Sequence, residues 1–287
     1  GVELDVDAAQ RLHRHLAHFV DLGEGACSED GGNRHRWQVR HALDFSIDPD
    51  DYAARLAIVI PYRDREQHLS RLIPHLVTFF ERDRLARAIP YEIHIAEQAP
   101  GRPFNRGAIK NAGFAVAHAN ADYVVFHDVD YLPIWADYSL VHEPTSLITW
   151  GVQEESSEGP SNTPGCALAL PVDDFVRING YSNDYWEWGF EDVDLQQRIR
   201  LAGLGWSRRP GTFMPMPHEH HGVTSEGKAN SGTQRTRAIY LAKGAQGTAG
   251  FGGEGLSTLG FRVERTVQWV RNGVPLPQVL HHHIVLE

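Results

Sequence analysis

Apolar positions in the first half of the chain alternate between two kinds of pattern. Three short apolar or alternating runs predict strands, at residues 55–62, 91–98 and 122–130. Two segments with apolar residues at helical spacing predict helices, at residues 65–84 and 105–119. Strands that alternate with helices are typical of proteins in which helices cover a parallel sheet. We therefore predict an α/β fold with a mainly parallel central sheet flanked by helices.

The flanking segments are less regular. Residues 1–50 predict an N-terminal helical extension, and residues 51–287 a single domain. Three later elements are predicted, namely a strand at 166–171, a helix from about 191 and an extended segment at 215–222. Residues 221–256 are rich in Gly, Ser and Thr around one possible helix, a composition that favours a functional lid or a disordered insert. The C-terminal end predicts two or three strands.

The composition excludes some function classes. A formal net charge of −10 argues against a nucleic-acid binder, because phosphate contacts need a basic surface. Two cysteines, Cys27 and Cys166, do not make a disulfide framework. No apolar stretch approaches the length of about 18 residues that a membrane span requires. We therefore expect neither nucleic-acid binding nor stable membrane insertion.

Two aspartates follow the third predicted strand, in FHDVDYLP (126–133). Asp128 and Asp130 fall at a carboxyl end of the sheet, where ligands of such folds bind. A turn, a catalytic pair and one side of a metal site all fit this spacing. In HEH, His218 and His220 would face the same side of an extended segment, so with Asp130 they could ligate a metal. Surface or structural histidines are the alternative.

Three other motifs carry candidate chemistry. Trp186 and Trp188 lie beside acidic residues in YWEWGFEDVDL (185–195), which favours a sugar-binding surface; acids that stabilise a helix start are the alternative. In PFNRGAIKNAGF (103–114) a helix begins at Asn105, so either an anion contact or simple capping is expected. The histidines at 281–283 are interpreted as a strand end whose alternation splits them between two faces.

Taken in order, these motifs resemble those of the β-1,4-galactosyltransferase family. The similar segments are IPYRDR (60–65), FNRGAIKNAGF (104–114), FHDVDYLP (126–133), WEWGFEDVD (186–194), HEH (218–220) and GGEGLSTLGFRV (252–263), the last resembling a strand of that family. The histidine pair is most similar to the branch that adds galactose to xylose. The resemblance implies a GT-A fold, a catalytic domain over 51–287, a UDP-sugar donor, Mn²⁺, and inverting transfer of galactose to a sugar hydroxyl of a glycan acceptor.

The resemblance also implies roles for individual residues. Asp192 would be the general base and Glu191 a ligand of the acceptor hydroxyl. Trp188 would be a mobile ring between donor and acceptor, with Trp186 on the acceptor side. Mn²⁺ would be held by Asp130, His218 and His220. The remaining donor contacts would be Pro61, Tyr62, Arg63, Arg65, Phe104, Arg106 and Asp128.

Some positions depart from the family pattern and leave the function open. Glu187 replaces a glycine between the two tryptophans, and the segment 163–166 lacks a tyrosine that helps choose the donor sugar, so UDP-N-acetylgalactosamine is a competing donor. Two less favoured hypotheses are a two-histidine, one-carboxylate Fe(II) oxygenase and a non-catalytic sugar-binding relative. Without an anchor or a disulfide pattern, we expect a cytoplasmic bacterial relative, or a truncated form of a membrane-anchored one.

Overall fold

The computed structural model describes residues 49–83, 86–148, 150–151, 164–209, 211–217 and 228–287. The helices are α1 (Pro49–Ala53), α2 (Glu66–Arg82), α3 (Arg106–Ala117), α4 (Val172–Arg177), α5 (Glu191–Leu201) and α6 (Ser231–Ala245). The strands are β1 (Leu56–Tyr62), β2 (Tyr91–Gln98), β3 (Tyr123–His127), β4 (Tyr131–Ala136), β5 (Thr145–Ser146), β6 (Trp150–Gly151), β7 (Ala167–Pro171), β8 (Ser207–Arg208), β9 (Gly211–Pro215), β10 (Phe261–Arg271) and β11 (Val274–Leu286). These residues belong to the compact unit Ser46–Glu287. The N-terminal helix predicted before residue 49 lies outside the described residues, and the predicted division at residue 50 stays a prediction.

The central sheet has the strand order β10-β11-β2-β1-β3-β7-β5-β8. β11, β2, β1 and β3 run parallel to one another, whereas β10 and β7 are antiparallel to the strands beside them. β1 is buried along its whole length because helices cover both of its faces. Ile58 packs with Leu72 of α2 on one face, and Val59 with Phe114 of α3 on the other. The predicted α/β fold with a mainly parallel sheet is confirmed.

Two predictions about strands were wrong in detail. The third predicted strand ends at His127, so both aspartates lie in the turn before β4, which was not predicted. β4 pairs with β9 in a separate small sheet of order β4-β9-β6. In the segment 252–263, which resembles a family strand, the chain forms a 3-10 turn at Leu256–Thr258, and the strand begins only at Phe261.

The region rich in Gly, Ser and Thr contains a helix longer than its composition indicates. α6 spans fifteen residues, and Asn230 caps it by accepting a hydrogen bond from the Thr233 N–H at 3.0 Å. Residues 218–227, which include the start of the predicted lid, lie outside the described residues. Among the helices that the structure describes, none is long and apolar enough to cross a membrane.

A buried ion network fastens α5 and α6 to the loop between α6 and β10. Arg198 of α5 is paired with Asp194 at 2.5 Å and with Glu254 at 2.6 Å, and Lys243 of α6 contacts the same Glu254 carboxylate. The Arg198 and Asp194 side chains are at most 1% exposed. A buried charge is destabilising unless an opposite charge lies beside it, so the helices that carry these groups must stay together. The network thereby holds the two helices in place.

Replacing Arg198 with alanine should therefore destabilise the fold strongly. The change leaves Asp194 buried without its guanidinium partner, a situation that costs about 3–5 kcal/mol. Chemical unfolding in urea measures the loss. Arg200→Ala on the exposed side of the same helix is the matched control and should cost about 0.5 kcal/mol or less. Equal losses in the two variants would contradict the structural role of the network.

Candidate functional site

A cavity of about 430 Å³ opens where β1 and β3 end. Its walls come from the loop after β1, the start of α3, the turn after β3 and the Trp188 loop. Eight of the residues predicted from the sequence line it, namely Pro61, Arg63, Arg65, Phe104, Arg106, Asp128, Asp130 and Trp188. Ligands of parallel sheets bind at this edge. The structure therefore brings most of the predicted donor residues to one cavity.

The first turn of α3 is positioned by Asn105. The Asn105 side chain accepts a hydrogen bond from the Ala108 N–H at 2.8 Å, and its amide donates to the Asn183 carbonyl at 2.7 Å. The capping role is thus confirmed. A side chain at Gly107 would meet the Ser182 carbonyl oxygen at 2.5 Å, so glycine allows the helix to approach that loop closely. Arg106 consequently enters the cavity from a helix start.

Two cations of α3, the half-buried Arg106 and the buried Lys110, lie one turn apart and hold the acidic groups of the site together. Arg106 donates to Glu191 at 3.3 Å and lies 3.9 Å from Asp128. Lys110 lies 3.4 Å from Asp192 and 3.9 Å from Asp128. Burial alone would lower the pKa values of both cations, but the surrounding carboxylates raise them above their ordinary values. Both side chains are therefore charged.

Lys110 was missed by the sequence predictions. It is only 2% exposed, and its ammonium group also lies 4.7 Å from the centre of the Tyr181 ring. The available signal was a single lysine inside an otherwise apolar helical segment, in a chain with few lysines. A buried lysine needs carboxylate partners, but which carboxylates they are depends on the packing of α3 against α5.

Asp192 carries the most perturbed carboxyl group of the site. Burial raises its pKa to about 6; Lys110 and Arg106 oppose the shift, while Glu191 and Asp128 add to it. A carboxylate with a pKa near neutrality is suited to accept a proton from a hydroxyl. The Asp192 carboxylate also lies against the backbone at Gly165, where an added Cβ would come within 3.2 Å of its Oδ2.

The loop that carries Trp188 has an unusual backbone. Glu187, Gly189 and Phe190 all have positive φ angles, +88°, +96° and +74°. The Glu187 N–H donates to the Phe104 carbonyl at 2.7 Å, and its carboxylate forms an ion pair with Arg235 of α6. These contacts hold a non-glycine residue in a conformation that costs about 1–3 kcal/mol. The Glu187–Arg235 link was not anticipated from the sequence.

Four of the predicted residues that the structure describes do not line the cavity, namely Tyr62, Trp186, Glu191 and Asp192. The Tyr62 ring is buried on the α2 face of the sheet, edge-on to His281 with ring centres 5.8 Å apart. The Trp186 ring lies under the guanidinium group of Arg102 at 3.9 Å. The Trp188 ring, by contrast, is 43% exposed at the cavity. The roles assigned to Tyr62 and Trp186 stay predictions.

The predicted metal ligands are only partly described. Asp130 lies at the cavity, and its carbonyl accepts a hydrogen bond from the Met216 N–H at 2.7 Å. The antiparallel pairing of β4 with β9 thus brings residues 215–217 alongside Asp130. His218 and His220 follow directly but lie outside the described residues. A site of carboxylate and imidazole donors next to Asp130 is suited to a divalent cation.

The chain is similar to known galactosyltransferases. A family model described as the N-terminal region of glycosyl transferase group 7 matches residues 37–141, and one described as the N-terminal domain of galactosyltransferase matches residues 153–221. Together these models match more than half of the chain.

Among curated proteins, beta-1,4-galactosyltransferase 4 of Homo sapiens is 37% identical over 158 residues, which is 54% of this chain and 45% of that protein. Beta-1,4-galactosyltransferase 5 of Danio rerio is 37% identical over 175 residues, 58% of this chain and 45% of that protein. The match thus spans less than half the length of these relatives.

A solved structure has a similar fold over most of the chain. It is the catalytic domain of Drosophila beta1,4galactosyltransferase 7 in complex with xylobiose, with a TM-score of 0.64 and 27% identity, covering 82% of this chain and 95% of that one. A mutant in complex with manganese, UDP-Gal and xylobiose matches with a TM-score of 0.63, 26% identity and the same coverage. The predicted GT-A type fold is thereby confirmed.

The positive φ angle of Glu187 leads to a stability prediction. Glu187→Gly and Glu187→Ala both remove the carboxylate that contacts Arg235, but only glycine relieves the backbone strain. We expect the glycine variant to be more stable than the alanine variant by about 1 kcal/mol. Urea unfolding of both variants measures the difference. Equal stability would show that the backbone at this position is not strained.

Proposed function

Because the chain belongs to the β-1,4-galactosyltransferase family, we propose that it transfers galactose from UDP-galactose to a hydroxyl group of a glycan acceptor. The proposed reaction is inverting and depends on Mn²⁺. The observation that carries the proposal is the pair of cations, Arg106 at the cavity and the buried Lys110, which join the donor cavity to the separate carboxylate Asp192. A single-displacement transfer needs this division between a leaving-group site and a base.

The cavity is suited to a nucleotide diphosphate. Arg63, Arg65 and Arg106 line it, and guanidinium groups bind phosphate oxygens through paired hydrogen bonds. The start of α3 adds the positive end of a helix dipole. Arg63 also lies over the Phe104 ring at 5.2 Å, so an aromatic and a cationic group border the same wall. A uracil ring and a diphosphate would find complementary partners there.

The charge balance of the site is suited to Mn²⁺. Four carboxylates lie around Arg106 and Lys110, namely Asp128, Asp130, Glu191 and Asp192. These six groups carry a charge of −2 when all are ionised, and Arg63 and Arg65 of the same cavity remain for the negative charge of a bound diphosphate. Carboxylate and imidazole donors from Asp130, His218 and His220 are among the ligands that Mn²⁺ accepts. When bound, the metal would neutralise negative charge on the departing diphosphate.

Asp192 is proposed to take the proton of the acceptor hydroxyl. Its pKa of about 6 leaves it ionised at neutral pH and still basic enough to act. Lys110 keeps this carboxylate charged and oriented. The exposed Trp188 ring lies at the cavity opening, where it can cover the apolar face of a sugar. Glu191, held by Arg106, is proposed to accept a hydrogen bond from the acceptor.

Asp192→Asn tests the proposal. The amide cannot accept the proton, so UDP release from UDP-galactose in the presence of acceptor should fall about 10²–10⁴-fold, while UDP binding is retained. The assay compares reactions with and without Mn²⁺ and uses an acceptor panel that includes xylobiose, the ligand of the structural relative. UDP-N-acetylgalactosamine serves as the competing donor.

The outcomes distinguish the competing functions. Normal turnover by Asp192→Asn would overturn the assignment of the base. Glycan binding without UDP release from either donor would support a non-catalytic sugar-binding relative. Turnover of a keto acid with Fe(II), and none with UDP-sugars, would support the oxygenase. Faster transfer from UDP-N-acetylgalactosamine would keep the mechanism and change the donor.

Lys110 predicts a change in the pH dependence. Because Asp192 must be ionised to act, kcat/KM should rise as the pH increases through about 6. The positive charge of Lys110 opposes protonation of Asp192, so Lys110→Met should move this rise to higher pH. Lys110→Arg retains the charge and is the matched control. An unchanged pH profile in Lys110→Met would show that the lysine does not act on the base.

A further inference from the structure

A second group of potential metal ligands lies on the central sheet, and none of its members lines the donor cavity. Glu97 is near the carboxyl end of β2, and His281 and His283 are in β11, which runs parallel to it. His283 is the direct register partner of Glu97. The predicted alternation is confirmed, since His282 points to the opposite face and hydrogen bonds with His94 at 3.0 Å.

The three side chains converge on one point. His281 Nε2 and His283 Nδ1 lie 2.9 Å and 2.8 Å from the same oxygen of Glu97. One ligand atom from each residue lies within 4.8 Å of the others. Ligand atoms around a tetrahedral Zn²⁺ are about 3.3 Å apart. The ion would therefore fit if the Glu97 oxygen moved away from each histidine nitrogen by roughly half an ångström.

Aromatic side chains and strand pairing hold the three side chains in place. The two imidazole rings are stacked with centres 4.7 Å apart, Tyr62 contacts His281 edge-on, and the Trp269 ring stacks against His281 as well. The histidines sit on a strand that is hydrogen-bonded on both sides. Such packing restricts the rotamers, so little conformational entropy is lost on binding. The three side chains are 17–27% exposed, whereas the His281 Nε2 atom itself is buried and has no hydrogen-bond partner among the residues that the structure describes.

The donor set points to a particular class of cation. Two imidazoles and one carboxylate are typical of zinc and of neighbouring transition metals, whereas Mg²⁺ and Ca²⁺ prefer oxygen ligands. Arg265 of β10 is the register partner of His283, and its positive charge disfavours a bound cation. The negative charge of Glu97 counteracts that repulsion.

We propose that Glu97, His281 and His283 form a divalent transition-metal site of the Zn²⁺ class. The cation would bridge β2 and β11 and fasten the C-terminal hairpin to the sheet. The three protein ligands leave one tetrahedral position for water. The site shares no ligand with the proposed Mn²⁺ site, so it stands whether or not the proposed transfer reaction is correct.

Zn²⁺ titration of the EDTA-treated protein by calorimetry tests the proposal. The Asp130→Asn background weakens the other candidate metal site. In that background we expect one Zn²⁺ to bind, with affinity at least about tenfold weaker in Glu97→Gln and in His283→Gln. Co²⁺ should give visible absorption bands of a low-coordinate site that both substitutions abolish. Mg²⁺ should not compete.

His142→Ala is the matched control, because His142 forms an ordinary exposed pair with Asp51 at 3.3 Å. It should leave Zn²⁺ affinity within about twofold of the parent. Two different ligands are replaced so that a folding defect in one variant does not decide the result. Circular dichroism shows whether each variant is folded. The proposal would be overturned if the Asp130→Asn variant bound no Zn²⁺. It would also be overturned if adding Glu97→Gln or His283→Gln left the Zn²⁺ affinity of that variant unchanged.

Discussion

The pairing of two cations of α3 with carboxylates is the constraint on which the rest of the site depends. Arg106 and Lys110 project from one face of α3, and their partners come from the turn after β3 and from the start of α5. Like charges this close would otherwise force some carboxyl groups to take up protons. The cations therefore oppose the rise in the pKa of Asp192 and set the distance between two elements that are far apart in sequence.

The position of α3 is in turn secured by amide side chains. Asn111 donates to the Tyr181 carbonyl at 2.8 Å and accepts from the Tyr181 N–H at 2.9 Å, so it ties the middle of the helix to the segment before the Trp188 loop. Asn105 ties its start to Asn183. The strained backbone at Glu187 and Phe190 is the consequence of turning that segment sharply into α5.

The predicted elements show where sequence patterns succeed. The run at 55–62 became β1, because a strand covered on both faces must be apolar along its length. The run at 91–98 became β2, whose polar and apolar residues alternate over most of its length. β4 was missed because its place in a small sheet depends on pairing with β9, which lies far along the chain. The segment 252–260 was misassigned because its glycines serve a turn, where Gly255 has a φ angle of +142°.

The sequence by itself determined the order of strands and helices, the edge of the sheet that carries the site, and most of the residues that line it, since periodicity and turn residues act over a few positions. Only the tertiary structure decided which groups meet. Lys110 beside Asp192, Glu187 beside Arg235, and Glu97 beside the two histidines of β11 are contacts between residues far apart in the chain. They depend on strand order and helix packing, which no local pattern encodes.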